Sequence, residues 1–152
     1  MKGRRGAFTL IELMIVASII ALVAVMALPS FLRARQRAQN TKFINALRVA
    51  SGAFDTYAIE HGNYPPDVFR GIVPPGMGPY FQSSFDFTGP TPIGGQWDWD
   101  KDVFGFKAGL SVVSPNALHP QLRDIDTSWD DGNLVTGHFQ EAASSRYSHI
   151  LE

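Results

Sequence analysis

One stretch limits the folds open to this chain more than any other. From Phe8 to Leu28 the sequence runs 21 residues with a single charged side chain, Glu12. At about 1.5 Å rise per residue, a helix of that length covers roughly the 30 Å hydrocarbon core of a bilayer. A carboxylate within such a segment is costly to desolvate, so Glu12 demands a reason. Lys2, Arg4 and Arg5 precede the run, as in the basic region of a secretory signal. The rest of that pattern fails. The run is followed by "LPSFLRARQRAQN" where a small-residue cleavage site would be expected, while the small residues Gly6 and Ala7 lie before it. A cut at that point would leave the apolar segment in the mature protein.

Charge divides the chain in the same way. Eight of the 13 Lys and Arg residues fall at or before Arg48, and every acid except Glu12 falls at or after Asp55. A basic, apolar N-terminal third and an acidic remainder rich in Gly and Pro suit two different environments. The net charge of −1 gives no global field favouring nucleic acid. With no cysteine, disulfides, thiolate metal sites and a cysteine nucleophile are excluded.

The segment "RRGAFTLIELMIVASIIALVAVMALPSFLRARQRA" resembles the N-terminus of type IV prepilins and of the pseudopilins of type II secretion. The strong likeness covers about residues 3 to 38, with a weaker one to about Pro65. It implies cleavage by a prepilin peptidase just before a phenylalanine, N-methylation of the new amine, and a glutamate as fifth mature residue. Cleavage at the Ala7–Phe8 bond makes Glu12 fifth; cleavage after Gly6 would make it sixth. Alanine stands before the cut where the family usually has glycine. The resemblance also implies a helix-breaking proline, a place taken by Pro29, and a pairing of Glu12 with the Phe8 amine of a neighbouring subunit. Such a pairing neutralises two charges that are each expensive to bury alone.

Beyond Pro29 the pattern stays helical. Phe43, Leu47, Ala50, Phe54 and Tyr57 recur every three or four residues and draw one apolar stripe. A single long helix is expected from about Phe8 to His61, ended by Gly62 and by Pro65 and Pro66. Residues 65 to 96 read as an ordered loop region packed by Phe69, Tyr80, Phe81, Phe85 and Phe87. Four short antiparallel strands are expected in "QWDWD", "FGFKAGLSVVS", "NLVTGHFQ" and "SRYSHILE". The predicted fold class is therefore α+β and pilin-like: a long N-terminal helix packed on a small antiparallel sheet. The expected division is leader 1–7, membrane or filament-core helix 8–34, and periplasmic globular domain 35–152.

Catalysis finds little support, since neither H-E-x-x-H nor G-x-S-x-G occurs and no glycine-rich phosphate loop follows a strand. His138 and His149 would be neighbours if the last two strands pair, and they read as a surface pair on a hairpin. In "DIDTSWDDGN", Asp124, Asp126, Asp130 and Asp131 crowd four carboxylates into what reads as a short loop. Hard oxygen donors at that density suit Ca²⁺. An EF-hand is excluded, because Ser128 stands at the third ligand place and no glutamate closes the loop. The resemblance adds that major pseudopilins carry calcium in a C-terminal loop. The alternative is a tight turn at Asp131-Gly132 with solvated acids. In "WDWDKD", Trp97 and Trp99 share a strand face, either as a carbohydrate patch or, more simply, buried against the helix. Arg33, Arg35 and Arg37 suit lipid headgroups or acids of neighbouring subunits better than nucleic acid.

The resemblance implies a pseudopilin: a non-enzymatic structural subunit of a periplasmic filament, without an essential cofactor. Its expected partners are other copies and other pseudopilins, prepilin peptidase, an inner-membrane assembly platform with its ATPase, and membrane lipid. The expected location is single-pass in the bacterial inner membrane with the C-terminal domain periplasmic. A type IV pilin for adhesion, motility or DNA uptake is the alternative within the class. A membrane-anchored calcium- or sugar-binding domain is the alternative outside it.

Overall fold

A computed structural model describes residues 9–83 and 85–152. The described residues form two compact units, divided between Arg37 and Ala38. Helix α1 covers Leu10–His61. In its first part the side chains are exposed, including Leu10, Ile11, Met14, Ile20 and Val25, and an 18-residue window is long and apolar enough to cross a membrane. Pro29 lies inside the helix: the single long helix expected from about Phe8 to His61 forms, and the break implied by the resemblance does not. Proline removes one N–H from the ladder. The Ser30 hydroxyl bonds Ala27 O at 2.8 Å beside the gap, and the apolar residues on both sides keep the helical period.

The second unit is an α+β domain. From residue 38 on, α1 turns its stripe inward: Phe43, Leu47, Ala50 and Phe54 are buried, and Tyr57 is half-buried against them. Gly62, with φ +72°, takes the left-handed position that ends the helix. Strands β1 (Gln96–Val103), β2 (Phe106–Val113), β3 (Phe139–Ala143) and β4 (Arg146–Ile150) form one antiparallel sheet in the order β1-β2-β4-β3. Strand alternation puts Trp97 and Trp99 toward α1, where Phe43 stacks on Trp97 at 5.4 Å and Phe54 on Trp99 at 3.8 Å. Both indoles are essentially unexposed, so they are core and present no carbohydrate patch. The Trp99 indole N–H is satisfied by Pro65 O at 3.0 Å.

Three local readings are corrected. "NLVTGHFQ" is strand only from Phe139, because Asn133, Asp131 and Thr136 spend their bonds on turns before it. The acid-rich stretch is not a short loop: His119–Trp129 is a helix, α2, with Pro120 in its first turn and Leu122 and Ile125 buried. Among the described residues of 65–96 a 3₁₀ turn forms at Gly78–Tyr80 and Phe87 lies in the core, but Phe69 is 85 % exposed and stands outside the core.

Candidate functional site

Two groups of predicted residues can be followed. The first is the start of α1. Gly6, Ala7 and Phe8, the residues of the expected cleavage, lie outside the described residues. Glu12 is described, and it sits at the third helical position. Its Oε2 accepts from the Thr9 N–H at 2.8 Å and from the Thr9 hydroxyl at 2.7 Å, while the Glu12 N–H donates back to Thr9 Oγ1 at 3.3 Å. This is a reciprocal capping box, which satisfies backbone donors that a helix start would leave free. Within a single chain, then, Glu12 already has local work. It stays exposed, and Oε1 makes none of these bonds. Thr9 was missed as its partner, although the T-x-x-E spacing was legible in the sequence.

The second group lies at the C-terminal end of α2. Asp126, Asp130 and Asp131 each bring a carboxylate oxygen within 4.8 Å of the others. Asp124 is exposed and does not join them. Helical geometry explains this: Asp126 is one turn before Asp130 and shares its face, whereas Asp124 points elsewhere. The backbone turns after Trp129, where the Asp130 N–H bonds Asp126 O at 2.6 Å. Asp130 Oδ2 accepts the His138 N–H. Asp131 accepts the Asn133 N–H at 2.8 Å and the Thr136 hydroxyl at 2.7 Å. Those bonds, Thr136 first, hold the Asp131 carboxyl below its ordinary range.

Asp126 differs. It is fully buried, and neither carboxylate oxygen has a hydrogen-bond partner. Its carboxyl is pushed up to about 6, first by burial and then by the charges of Asp131 and Asp130. Buried polar groups are nearly always satisfied, so two orphaned oxygens beside two further carboxylates fit a hard cation. Gly137, with φ +84°, keeps the pocket open, since a Cβ there would overlap Asp130 Oδ2. The expected histidine pair does meet, with ring centroids 6.4 Å apart, but His149 is buried and only His138 is at the surface. The Trp129 indole N–H donates to His149 Nδ1 at 3.1 Å, and burial drives the His149 imidazole down to about 4. It is neutral at physiological pH and serves the core.

The helix start and its flanks match known proteins. The family model described as the prokaryotic N-terminal methylation motif matches residues 2–28. Type II secretion system core protein G of Klebsiella pneumoniae is 32 % identical over 65 residues, 43 % of this chain and 46 % of that protein. The type IV wide pilus major component of Thermus thermophilus is 41 % identical over 64 residues, 42 % of this chain and 48 % of that protein. In its N-terminal part the chain is similar to type IV pilins and to the pseudopilins of type II secretion. This pilin-like chain also aligns over 148 residues with prepilin peptidase-dependent protein D of Escherichia coli, at 27 % identity, covering 88 % of this chain and all of that protein. The chain spans about half the length of the first two relatives. No solved structure matches it.

Proposed function

We propose that this pilin-like chain is a pseudopilin, a structural subunit of a filament in a type II secretion-like system, and not an enzyme. One observation carries the reading: an apolar, exposed helix surface from Leu10 onward that holds a lone acid at its start. That surface needs an apolar cover, first lipid and then the helices of other copies. The core protein G relative supports the secretion-system reading, and the Thermus pilus relative supports the type IV pilin as the second reading. In the proposed cycle, prepilin peptidase cuts the Ala7–Phe8 bond, the Phe8 amine is methylated, and the chain waits in the inner membrane with residues 35–152 on the periplasmic side. A platform and its ATPase then move it into the filament. There the Glu12 carboxylate meets the Phe8 amine of a neighbour, and Thr9 holds the carboxylate in place.

The test is Glu12→Gln in the native host. Glutamine keeps an oxygen for the Thr9 donors and removes only the charge, so insertion and cleavage proceed while filaments fail to form. Normal filament numbers by electron microscopy would refute the charge-pairing role.

We also propose a structural calcium ion held by Asp126, Asp130 and Asp131. When bound, the ion supplies positive charge and oxygen coordination to the otherwise unpartnered Asp126. The residues would then lock the end of α2 to the turn before β3. Calcium titration of the full chain in detergent, read by melting temperature, tests this.

A further inference from the structure

The alternation that buries Trp97 and Trp99 against α1 sends Asp98 and Asp100 to the opposite face of the sheet. Both are nevertheless buried, at 4 % and 3 % exposure. Residues 67–71 run beside the edge strand β1: Asp67 Oδ1 accepts the Lys101 N–H at 3.2 Å, and the Gly71 N–H donates to Trp97 O at 2.8 Å. From β4, Arg146 reaches across β2. Its Nη2 lies 2.7 Å from Asp98 Oδ2 and its Nη1 2.7 Å from Asp100 Oδ1. The Ser111 hydroxyl also donates to Asp100. One guanidinium thus serves two carboxylates, and the account does not close. Asp98 Oδ1 is buried without a donor, and burial, then the Asp100 charge, pushes its carboxyl up to about 6.

A recess of about 380 Å³ opens beside this group. Asp67, Arg70 and the exposed ring of Phe69 stand at its mouth, and Phe104 lies 4.7 Å beneath the Arg146 guanidinium. Its lining holds three carboxylates against two guanidiniums. We propose that this recess docks a basic side chain, lysine or arginine, presented by a partner polypeptide. The cationic end is drawn by the carboxylates of Asp67, Asp98 and Asp100, and the stem lies along Phe69 and the apolar wall. Aromatic faces attract such cations. A divalent metal fits worse, because Arg146 already sits within bonding distance of both buried carboxylates and repels it. An anion is excluded by the three acids. Residues 38–152 carry thirteen acids against seven basic residues, a net charge of −6, so the domain steers basic partners toward itself. The recess lies on the sheet face turned away from α1, so contacts that the domain makes through α1 leave it accessible.

Backbone amide NMR of the full chain in detergent micelles tests the proposal. The probes are Nα-acetyl-lysine amide and Nα-acetyl-arginine amide, with Nα-acetyl-norleucine amide as the neutral control. Shifts should gather at Phe69, Lys101 and Phe104 for the two cations and be absent for norleucine. Asp67→Asn should weaken binding roughly fivefold, the effect of one unit charge about 4 Å away in water, and Phe69→Ala should weaken it too. Arg70→Gln, which removes a competing cation from the mouth, should tighten binding by a similar factor. Equal shifts from norleucine, shifts centred elsewhere, or affinities indifferent to all three substitutions would overturn it.

Discussion

Asp126→Asn separates a metal ligand from a plain turn. In the folded chain the Asp126 carboxyl is raised from 3.8 to about 6, so at pH 7 its ionised form is about 2 units out of favour. At 1.36 kcal/mol per unit, holding that charge costs the fold on the order of 3 kcal/mol. Because the folded pKa is the higher one, this cost is fully present above about pH 6 and disappears as pH falls toward 3.8. Asparagine keeps the shape without the charge. In chelator at pH 7 the variant should therefore be at least as stable as the wild type. In calcium the order should reverse. A ligand at a hundredfold excess over its Kd adds about 2.7 kcal/mol to the state that binds it, which is roughly 5–11 °C in Tm for a domain of this size. The wild type should gain that and the variant should not. Thermal melts of the full chain in detergent, with calcium and with chelator, give all four values. Coincident wild-type curves, together with a variant less stable than the wild type in chelator, would refute both the metal and the assignment of Asp126 as an uncompensated charge.

The intact mass of protein from the native host should correspond to a chain that starts at methylated Phe8; a chain starting at Ala7 would break the register that makes Glu12 fifth. Phe54→Ala removes the ring stacked 3.8 Å from Trp99 and should cost about 3–5 kcal/mol, read as a lower denaturant midpoint at unchanged slope. His149 is pushed down to about 4 from 6.5, so its contribution is complete above pH 6.5 and is lost as pH falls toward 4, by up to about 3 kcal/mol. His149→Gln keeps an acceptor for the Trp129 N–H and should flatten that part of the stability curve; an unchanged acid limb would contradict the assignment. Gly137→Ala should lower stability and calcium response together, since its Cβ would occupy the space of Asp130 Oδ2, and circular dichroism melts with and without calcium would show it.

Much of this protein is local in origin and could be read along the chain. The apolar run, the stripe from Phe43 to Tyr57 and the Gly62 stop are periodic or conformational signals, and they determine α1 without reference to the rest of the chain. The Trp97/Trp99 alternation likewise sets which face of β1 meets the helix. Helix α2 was equally legible in principle, through Pro120 and the spacing of Leu122, Ile125 and Trp129, but its Asp and Ser content masked it as a loop. Pro29 does not end α1, because one missing N–H does not stop a helix whose neighbours keep the period. The remainder was decided in three dimensions. Strand order, the separation of Asp124 from its neighbours, and the burial of His149 depend on which surfaces cover which. No pattern within β1 foretells that Arg146, 46 residues beyond Asp100, would be shared between two aspartates and leave one oxygen without a donor. Burial and electrostatic pairing are properties of the assembled layers, so charges far apart in the chain acquire their partners, or fail to, only when the sheet closes.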